Sequence, residues 1–328
     1  MVRFAVVVVG VAVSLVACTA EQAPVGYPTG LGTPESPLPH PEPYIVRSRV
    51  TVPLGIADVT AAVAQLQAFS QHGGTTLLAQ TQDLPAVQAL NALPSTLRTK
   101  LDGWIDVELD KQKLGTLTAR AAVGQIATIA DNVTNNFIVE SMLTLSPTGA
   151  VHQLSDLAFE PLSLDVVVPI GGLLPDVLNQ KPSATVAAAG ALTLGDQKFG
   201  LAFGSHAWQA IELASNQTFG GGIEIMEKLD CNAVAQSVAA RCVSSTCVGH
   251  ASDLLVVCQQ GLTAMVDQLR GSLTPIVLDS LRFKSGSARL VDDNRDGYAD
   301  RILDGTWNTE TDDGMGVKAS QVTFTAQE

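Results

Sequence analysis

The chain has 328 residues, of which 46% are hydrophobic and 16% charged, and a formal charge of −13. That acidity disfavours both a nucleic-acid binder and a surface that seeks anionic lipid, since each calls for an excess of Lys and Arg. The length allows one large domain or two small ones, with ample chain to bury a core.

Residues 1–17 have the anatomy of a secretory signal: Arg3 as the single positive charge, an apolar run from Phe4 to Val16, and small residues before Cys18. The run is too short to span a bilayer as a helix. Its ending, Leu15-Val16-Ala17-Cys18, resembles the lipobox of bacterial lipoproteins. The resemblance implies that the signal is cut before Cys18, that the Cys18 thiol carries diacylglycerol, and that its freed amino group is acylated. Several acyl chains, at about 0.8 kcal/mol per buried methylene, hold a protein firmly to a membrane. Thr19 follows where an Asp would retain the protein at the inner membrane, so the pattern favours the outer membrane of a bacterial envelope. The alternative is an ordinary secreted protein in which Cys18 is incidental. Loss of Arg3 takes the mature charge to −14.

From residue 18 to 43 the chain carries Pro24, Pro28, Pro34, Pro37, Pro39, Pro41 and Pro43 among Gly, Ser, Thr and Glu, the composition of an extended spacer. A single domain is expected over 44–328. It opens with a strand, Ile45 to Val52, closed by Pro53. Asp58 then begins a helix with Val59, Ala62, Val63 and Leu66 on one face, ended by Gly73-Gly74. Pro85 and Pro94 suit the starts of two further helices, the second burying Leu97, Leu101, Trp104 and Ile105. A fourth runs between Thr116 and Asn135 on Leu117, Ile126, Ile129 and Val133.

After Asn136 the hydrophobic period shortens to that of strands. Phe137 to Leu145 and Val151 to Phe159 read as a hairpin about Ser146-Pro147-Thr148-Gly149. Leu162 to Ile170, apolar at Val166-Val167-Val168, reads as a strand covered on both sides. Ala184 to Leu194 and Lys198 to Phe203 read as a pair turning at Gly195-Asp196. Near the end, Leu281 and Phe283 alternate with Arg282 and Lys284 before a turn at Ser285-Gly286, and Val322 and Phe324 alternate with polar neighbours.

Four cysteines remain: Cys231, Cys242, Cys247 and Cys258, spaced eleven, five and eleven apart. Eleven residues is close to three helical turns, so each outer pair lies along one helix face. Two antiparallel helices then place Cys231 opposite Cys258 and Cys242 opposite Cys247, one of the three connectivities that four cysteines allow. Closing the two loops separately is worth about 3.6 and about 2.2 kcal/mol, less in combination because the loops are nested. Thiolates three turns apart cannot converge on zinc. An even count in an oxidising compartment argues against a catalytic thiol, and His250 reads as a solvent-facing helix residue.

Asp292-Asp293-Asn294-Arg295-Asp296-Gly297-Tyr298-Ala299-Asp300 resembles the calcium loops of EF-hands and of many extracellular β-rich proteins. The resemblance implies ligation by the side chains of Asp292, Asn294 and Asp296, the Tyr298 carbonyl, and Asp300. Leu303 stands where an EF-hand has its bidentate Glu, and the flanks Ala288 to Val291 and Arg301 to Trp307 look like strands. The competing reading is a metal-free acidic turn bent at Asp-Gly.

These elements give an α+β fold: an N-terminal helical block and an antiparallel sheet, flat or curled into an open barrel, with a disulfide-stapled helical hairpin (223–272) inserted and a β meander (276–327) at the end. Known catalytic motifs are absent from the sequence: no Gly-x-Ser-x-Gly elbow, His-Glu-x-x-His or phosphate loop occurs. Phe219 to Gly222 reads as a hinge, and Ser205-His206 are too close in sequence to make a nucleophile and base. The sequence therefore points to a lipid-anchored module that acts by binding a protein or an apolar small molecule, or as a structural part of the envelope. The alternatives are a carrier enclosing an apolar ligand, such as a lipid, within the sheet, and a hydrolase with an unmarked site.

Overall fold

The computed structural model describes residues 32–51, 57–170, 178–276, 278–312 and 317–328. No helix among them is long and apolar enough to cross a membrane. A two-residue strand, β1 (Leu38–Pro39), precedes β2 (Tyr44–Thr51). Four helices follow: α1 (Ala57–Gln71), α2 (Gly73–Gln80), α3 (Pro85–Asn91) and α4 (Ser95–Lys111). Asp58 falls within the first turn of α1, where its charge favours the helix N-terminus. Pro85 opens α3, where its missing N–H leaves no bond unmade, and Pro94 immediately precedes α4. Leu97, Leu101, Ile105 and Leu109 bury one face of α4.

Gly73 and Gly74 end α1 as expected, but they also begin α2, because helices cross closely there. A Cβ on Gly74 would overlap the Asp102 carbonyl on α4, and the Gly74 N–H donates to Asp106 Oδ1 at 2.8 Å. A ribbon of β3 (Lys113–Leu114) and β4 (Leu117–Thr118) leads to α5 (Ala119–Asn135), capped by Thr118 Oγ1 accepting from the Ala121 N–H. With Ala122, Val123, Ile126, Ile129, Ala130 and Val133 all buried, α5 is the centre of the helical block.

The hairpin β5 (Asn136–Ser146) and β6 (Gly149–Phe159) closes with Ser146 opposite Gly149, whose φ of 150° suits glycine. Then come β7 (Val166–Pro169), β8 (Asn179–Gln180), β9 (Ala184–Val186), β10 (Ala191–Leu194), β11 (Gln197–Leu201) and α6 (Phe203–Phe219). A 3-10 stretch, Ile223–Lys228, leads to α7 (Cys231–Ala239), the ribbon β12 (Cys242–Val243) and β13 (Thr246–Cys247), and α8 (Ala251–Leu273). The chain ends with β14 (Leu278–Val291), β15 (Tyr298–Ala299), β16 (Arg301–Asp312) and β17 (Val317–Gln327).

The main sheet has the order β7-β6-β5-β2-β17-β16-β14-β10-β9, with β11 also on β14 and β8 also on β6. It is an antiparallel sheet curled into a half-barrel, and the fold is α+β. Side chains show the curl directly. His152 on β6 and Trp307 on β16 are four strands apart, about 19 Å across a flat sheet, yet their rings stack with centroids 6.1 Å apart. The concave face is filled by His152, Phe199, Phe283, Trp307 and Phe324, each in ring contact with at least one of the others. Residues 178–183 span the remaining gap. Leu178 and Pro182 accept from Leu154 and Ala150 of β6, and Ser183 accepts from Gly195 beside β10. On the helical side, Phe203 at the start of α6 packs on Phe137 of β5 at 4.9 Å and Phe159 of β6 at 6.5 Å.

Three strand expectations are corrected. Ala184 to Leu194 is two strands, and β10 and β11 do not pair with each other but lie end to end along β14, Leu194 opposite Gly286 and Gln197 opposite Phe283. Gly195-Asp196 and Ser285-Gly286 are therefore facing bulges rather than turns, joined where Asp196 Oδ1 accepts from the Ser285 N–H at 3.2 Å. Such paired irregularities let a long strand bend, which curling a sheet requires. Gly286 is needed there because a Cβ would overlap the Trp307 ring. Lastly, β7 is an edge strand in which Val166 and Val168 are buried while Val167 is 43% exposed, so it is covered on one side only.

Candidate functional site

Inside the half-barrel the inward positions of β5, β6 and β11 bring three polar side chains together. His152 Nδ1 lies 2.5 Å from Gln197 Oε1 and its Nε2 lies 2.7 Å from Ser141 Oγ. All three residues are at most 3% exposed. Burial pushes the His152 pKa down to about 4, opposed only in part by the bond to Gln197, so the ring is neutral near pH 7. Gln197 Oε1 only accepts, so Nδ1 carries the proton and Nε2 accepts from the Ser141 hydroxyl.

Ser141, His152 and Gln197 stand in the order of a nucleophile, its base and the group that orients the base. Two features deny the arrangement that use. No surface of Ser141 is open to a substrate. The serine also sits on an interior strand, with Val46 of β2 on one side and Leu154 of β6 on the other, so the surrounding amides serve the sheet rather than an oxyanion. Its role is to tie β11 to β5 and β6 across the mouth of the curl, a bond network strengthened by its dry surroundings. The sequence held a signal for it: His152 shares strand parity with the buried Ala150 and Leu154.

The disulfides are nested as the spacing implied, Cys231 with Cys258 and Cys242 with Cys247. Cys231 and Cys258 are buried between α7 and α8, whereas Cys242 and Cys247 are exposed and cross-strand on the β12–β13 ribbon, beyond the end of α7. No thiolate is left for zinc or nucleophilic attack at these positions. His250 Nδ1 pairs with Asp253 Oδ2 at 2.9 Å at the exposed start of α8. Buried Glu108 fixes the hairpin to α4, meeting Lys111 Nζ at 2.7 Å and Arg241 Nη2 at 2.5 Å. Burial alone would raise the Glu108 pKa, but the bonds to Lys111 and Arg241 outweigh it and hold the carboxyl below its usual range. Ser205 and His206 fall in the first turn of α6, with His206 buried. Gly220 is the left-handed cap that ends that helix, and Trp208 stacks under the Arg270 guanidinium at 4.7 Å.

The Asp-rich loop joins β14 to β16 and is tied to itself. Asp292 accepts from the Arg295 and Gly297 N–H groups at 2.6 and 2.9 Å. Asn294 Oδ1 accepts from the Asp296 N–H and Asp296 Oδ1 from the Tyr298 N–H, both at 2.8 Å. The Asn294 side-chain amide donates to Asp296 Oδ2 at 3.1 Å and to Asp300 Oδ1 at 3.0 Å, so one NH2 group separates two carboxylates. Asp300 Oδ2 accepts from the Asp293 N–H at 2.6 Å. Asp293 itself pairs with Arg301, whose hydrogen bond lowers its pKa. Among the described residues no cluster of three or more His, Cys, Asp or Glu is arranged to hold a metal ion.

The same loop grips the Pro-rich stretch ahead of Tyr44. β1 pairs with β15 in parallel, Leu38 opposite Tyr298, and the Leu38 N–H donates to the Gly297 carbonyl at 2.9 Å. Gly32 and Gly297 touch so closely that a Cβ on Gly32 would overlap the Gly297 carbonyl oxygen. Tyr44 Oη accepts from the His40 N–H at 2.6 Å and donates to the Ala299 carbonyl at 2.9 Å. His40 Nε2 lies 3.3 Å from Glu328 Oε1. Cys18 lies outside the described residues.

No family model, curated protein or solved structure matches the chain. The functional reading therefore rests on its own residues.

Proposed function

We propose that the protein is a bacterial lipoprotein, held to the outer membrane by lipid on Cys18, whose domain acts by binding a protein or an apolar small molecule rather than by catalysis. The observation that carries the reading is Leu15-Val16-Ala17-Cys18 at the end of an apolar run headed by Arg3. Two features are consistent with it. Disulfides persist in oxidising compartments such as the periplasm, and the nucleophile-like set Ser141, His152 and Gln197 is sealed in the core. Rings fill the concave face of the sheet, so binding on the outside is favoured over carriage of a lipid inside. Replacing the anchor residue, Cys18→Ala, is expected to leave an uncleaved or soluble precursor while wild type sediments with membranes and carries acyl chains by mass spectrometry. Wild type recovered as a soluble, unacylated periplasmic protein overturns the proposal.

We further propose calcium as the ligand of the Asp292–Asp300 loop. The fit is partial. Asp296 and Asp300 already face one point, now filled by the Asn294 amide, and turning that amide over would present its oxygen there at the cost of the bond that oxygen accepts from the Asp296 N–H; the Asp292 oxygens are occupied by backbone N–H groups. Loops of this kind outside cells bind at about 0.1 to 1 mM, so calcium at about 10 mM is expected to stabilise the domain by about 1.4 to 2.7 kcal/mol. Magnesium, which demands a smaller octahedral cage, is expected to do much less. Melting curves check this: wild type rises by a few degrees with calcium and Asp296→Ala does not. Identical responses of the two proteins make the loop a plain acidic turn.

A further inference from the structure

Exposed apolar side chains are not spread evenly over the described surface. Of the large hydrophobics, Ile45, Met142, Val151 and Val186 are between 38% and 51% exposed and gather at one end of the half-barrel. Ile45 and Met142 are direct cross-strand neighbours on the convex face. Val151 stands opposite Thr144, one diagonal step from Met142 and within about 8 Å by strand geometry. Around the adjoining rim, Leu38, Pro39, Leu145, Pro147, Ala184 and Val186 line an open groove of about 310 Å³. By contrast, Leu162 and Val167 lie near the far end of β6, and Val107 and Leu213 lie on helices.

This apolar end is also where the N-terminal stretch joins the domain. Leu38 and Pro39 belong both to the groove and to the pairing of β1 with β15. Gly32 follows Cys18 by fourteen positions, a chain length that reaches at most about 50 Å. A domain tethered so closely meets the membrane as an intramolecular partner at about millimolar effective concentration, so a patch of a few side chains is enough to orient it.

We propose that this end of the half-barrel, centred on Ile45, Met142 and Val186, docks on the zwitterionic bilayer surface of the membrane that carries the anchor. The inference rests on the lipoprotein reading. A zwitterionic surface is the fitting one because the Asp-rich loop and Glu328 lie at the same end and would be repelled by anionic lipid. Docking there sets which face of the domain remains open to a soluble partner: the helical side.

The test uses mature, lipidated protein in phosphatidylcholine vesicles with nitroxide-labelled acyl chains. Single thiols introduced as Ile45→Cys, Met142→Cys and Val186→Cys carry an environment-sensitive fluorophore, with Val167→Cys and Leu213→Cys as controls. Fluorescence is expected to fall at least twofold at the first three positions and to stay unchanged at the two controls. Protein that floats with the vesicles but shows no quenching at 45, 142 and 186, or equal quenching at all five, overturns the docking face and leaves the lipoprotein reading standing. Protein that carries no acyl chain and does not float removes both.

Discussion

Between pH 7 and pH 4.5 the wild-type domain is expected to lose about 2.5 kcal/mol more stability than a His152→Gln variant. The cause is the neutral ring inside the half-barrel. Its folded pKa of about 4 lies below the ordinary 6.5, because protonation would place a charge among Phe199, Phe283 and Trp307. A depressed folded pKa means that the unfolded chain binds the proton more readily. The stabilising contribution is then complete above pH 6.5, declines as pH falls from there toward 4, and is gone below that. Glutamine keeps one polar partner for the network but takes up no proton, so it removes this slope. It also removes the ring that packs against Trp307, which costs about 1 to 3 kcal/mol at pH 7. Glu108 adds an acid-side loss of its own, since its lowered pKa makes its contribution vanish as pH falls through the carboxylate range. That loss is common to both proteins and cancels in the comparison. Urea unfolding at pH 7, 5.5 and 4.5 measures the difference, and parallel pH profiles would show that His152 does not titrate from a buried, neutral state.

The parts of this molecule that were legible in the sequence are those written locally. Pro85 and Pro94 mark helix starts, Pro147 and Gly149 mark the tight turn between β5 and β6, and the eleven-five-eleven spacing of Cys231, Cys242, Cys247 and Cys258 encodes the nested disulfides. The misread parts depend on partners remote in the chain. Gly195-Asp196 has the residues of a hairpin turn, and it becomes a bulge because β10 and β11 both pair along β14, where the Ser285 N–H donates to Asp196. Val166-Val167-Val168 looks doubly covered until the sheet order places it at an edge. Curling of the sheet likewise follows from residues 178–183 reaching from β6 to β10, a closure that no local pattern announces. The polar cluster was half legible: strand parity places Ser141 and His152 inward, but their meeting with Gln197 requires the curl.

The helical side has little tolerance at the point where α6 leaves β11. Gly204→Ala is expected to cost about 3 kcal/mol or more. At this position the first turn of α6 rests directly on the last turn of α8. The Gly204 N–H donates to the Ile276 carbonyl at 2.9 Å, and an added Cβ would overlap the Leu273 carbonyl oxygen and stand 3.1 Å from Ile276 Cβ. Neither obstacle is a flexible side-chain tip, so relief requires moving one helix end against the other. Phe203, the neighbouring residue, is fully buried against Phe137 and Phe159, which prevents α6 from shifting without opening the junction of helices and sheet. Gly271 on α8 supplies the internal control: it is exposed and helical, and nothing stands within 4 Å of the Cβ it would gain. There the same substitution should stabilise by about 0.5 to 1 kcal/mol, since alanine restricts the unfolded chain and suits a helix. Chemical denaturation of Gly204→Ala and Gly271→Ala beside wild type therefore reads two opposite signs from one chemical change. Equal effects at the two sites would show that α6 and α8 do not meet as closely as their backbone contact implies.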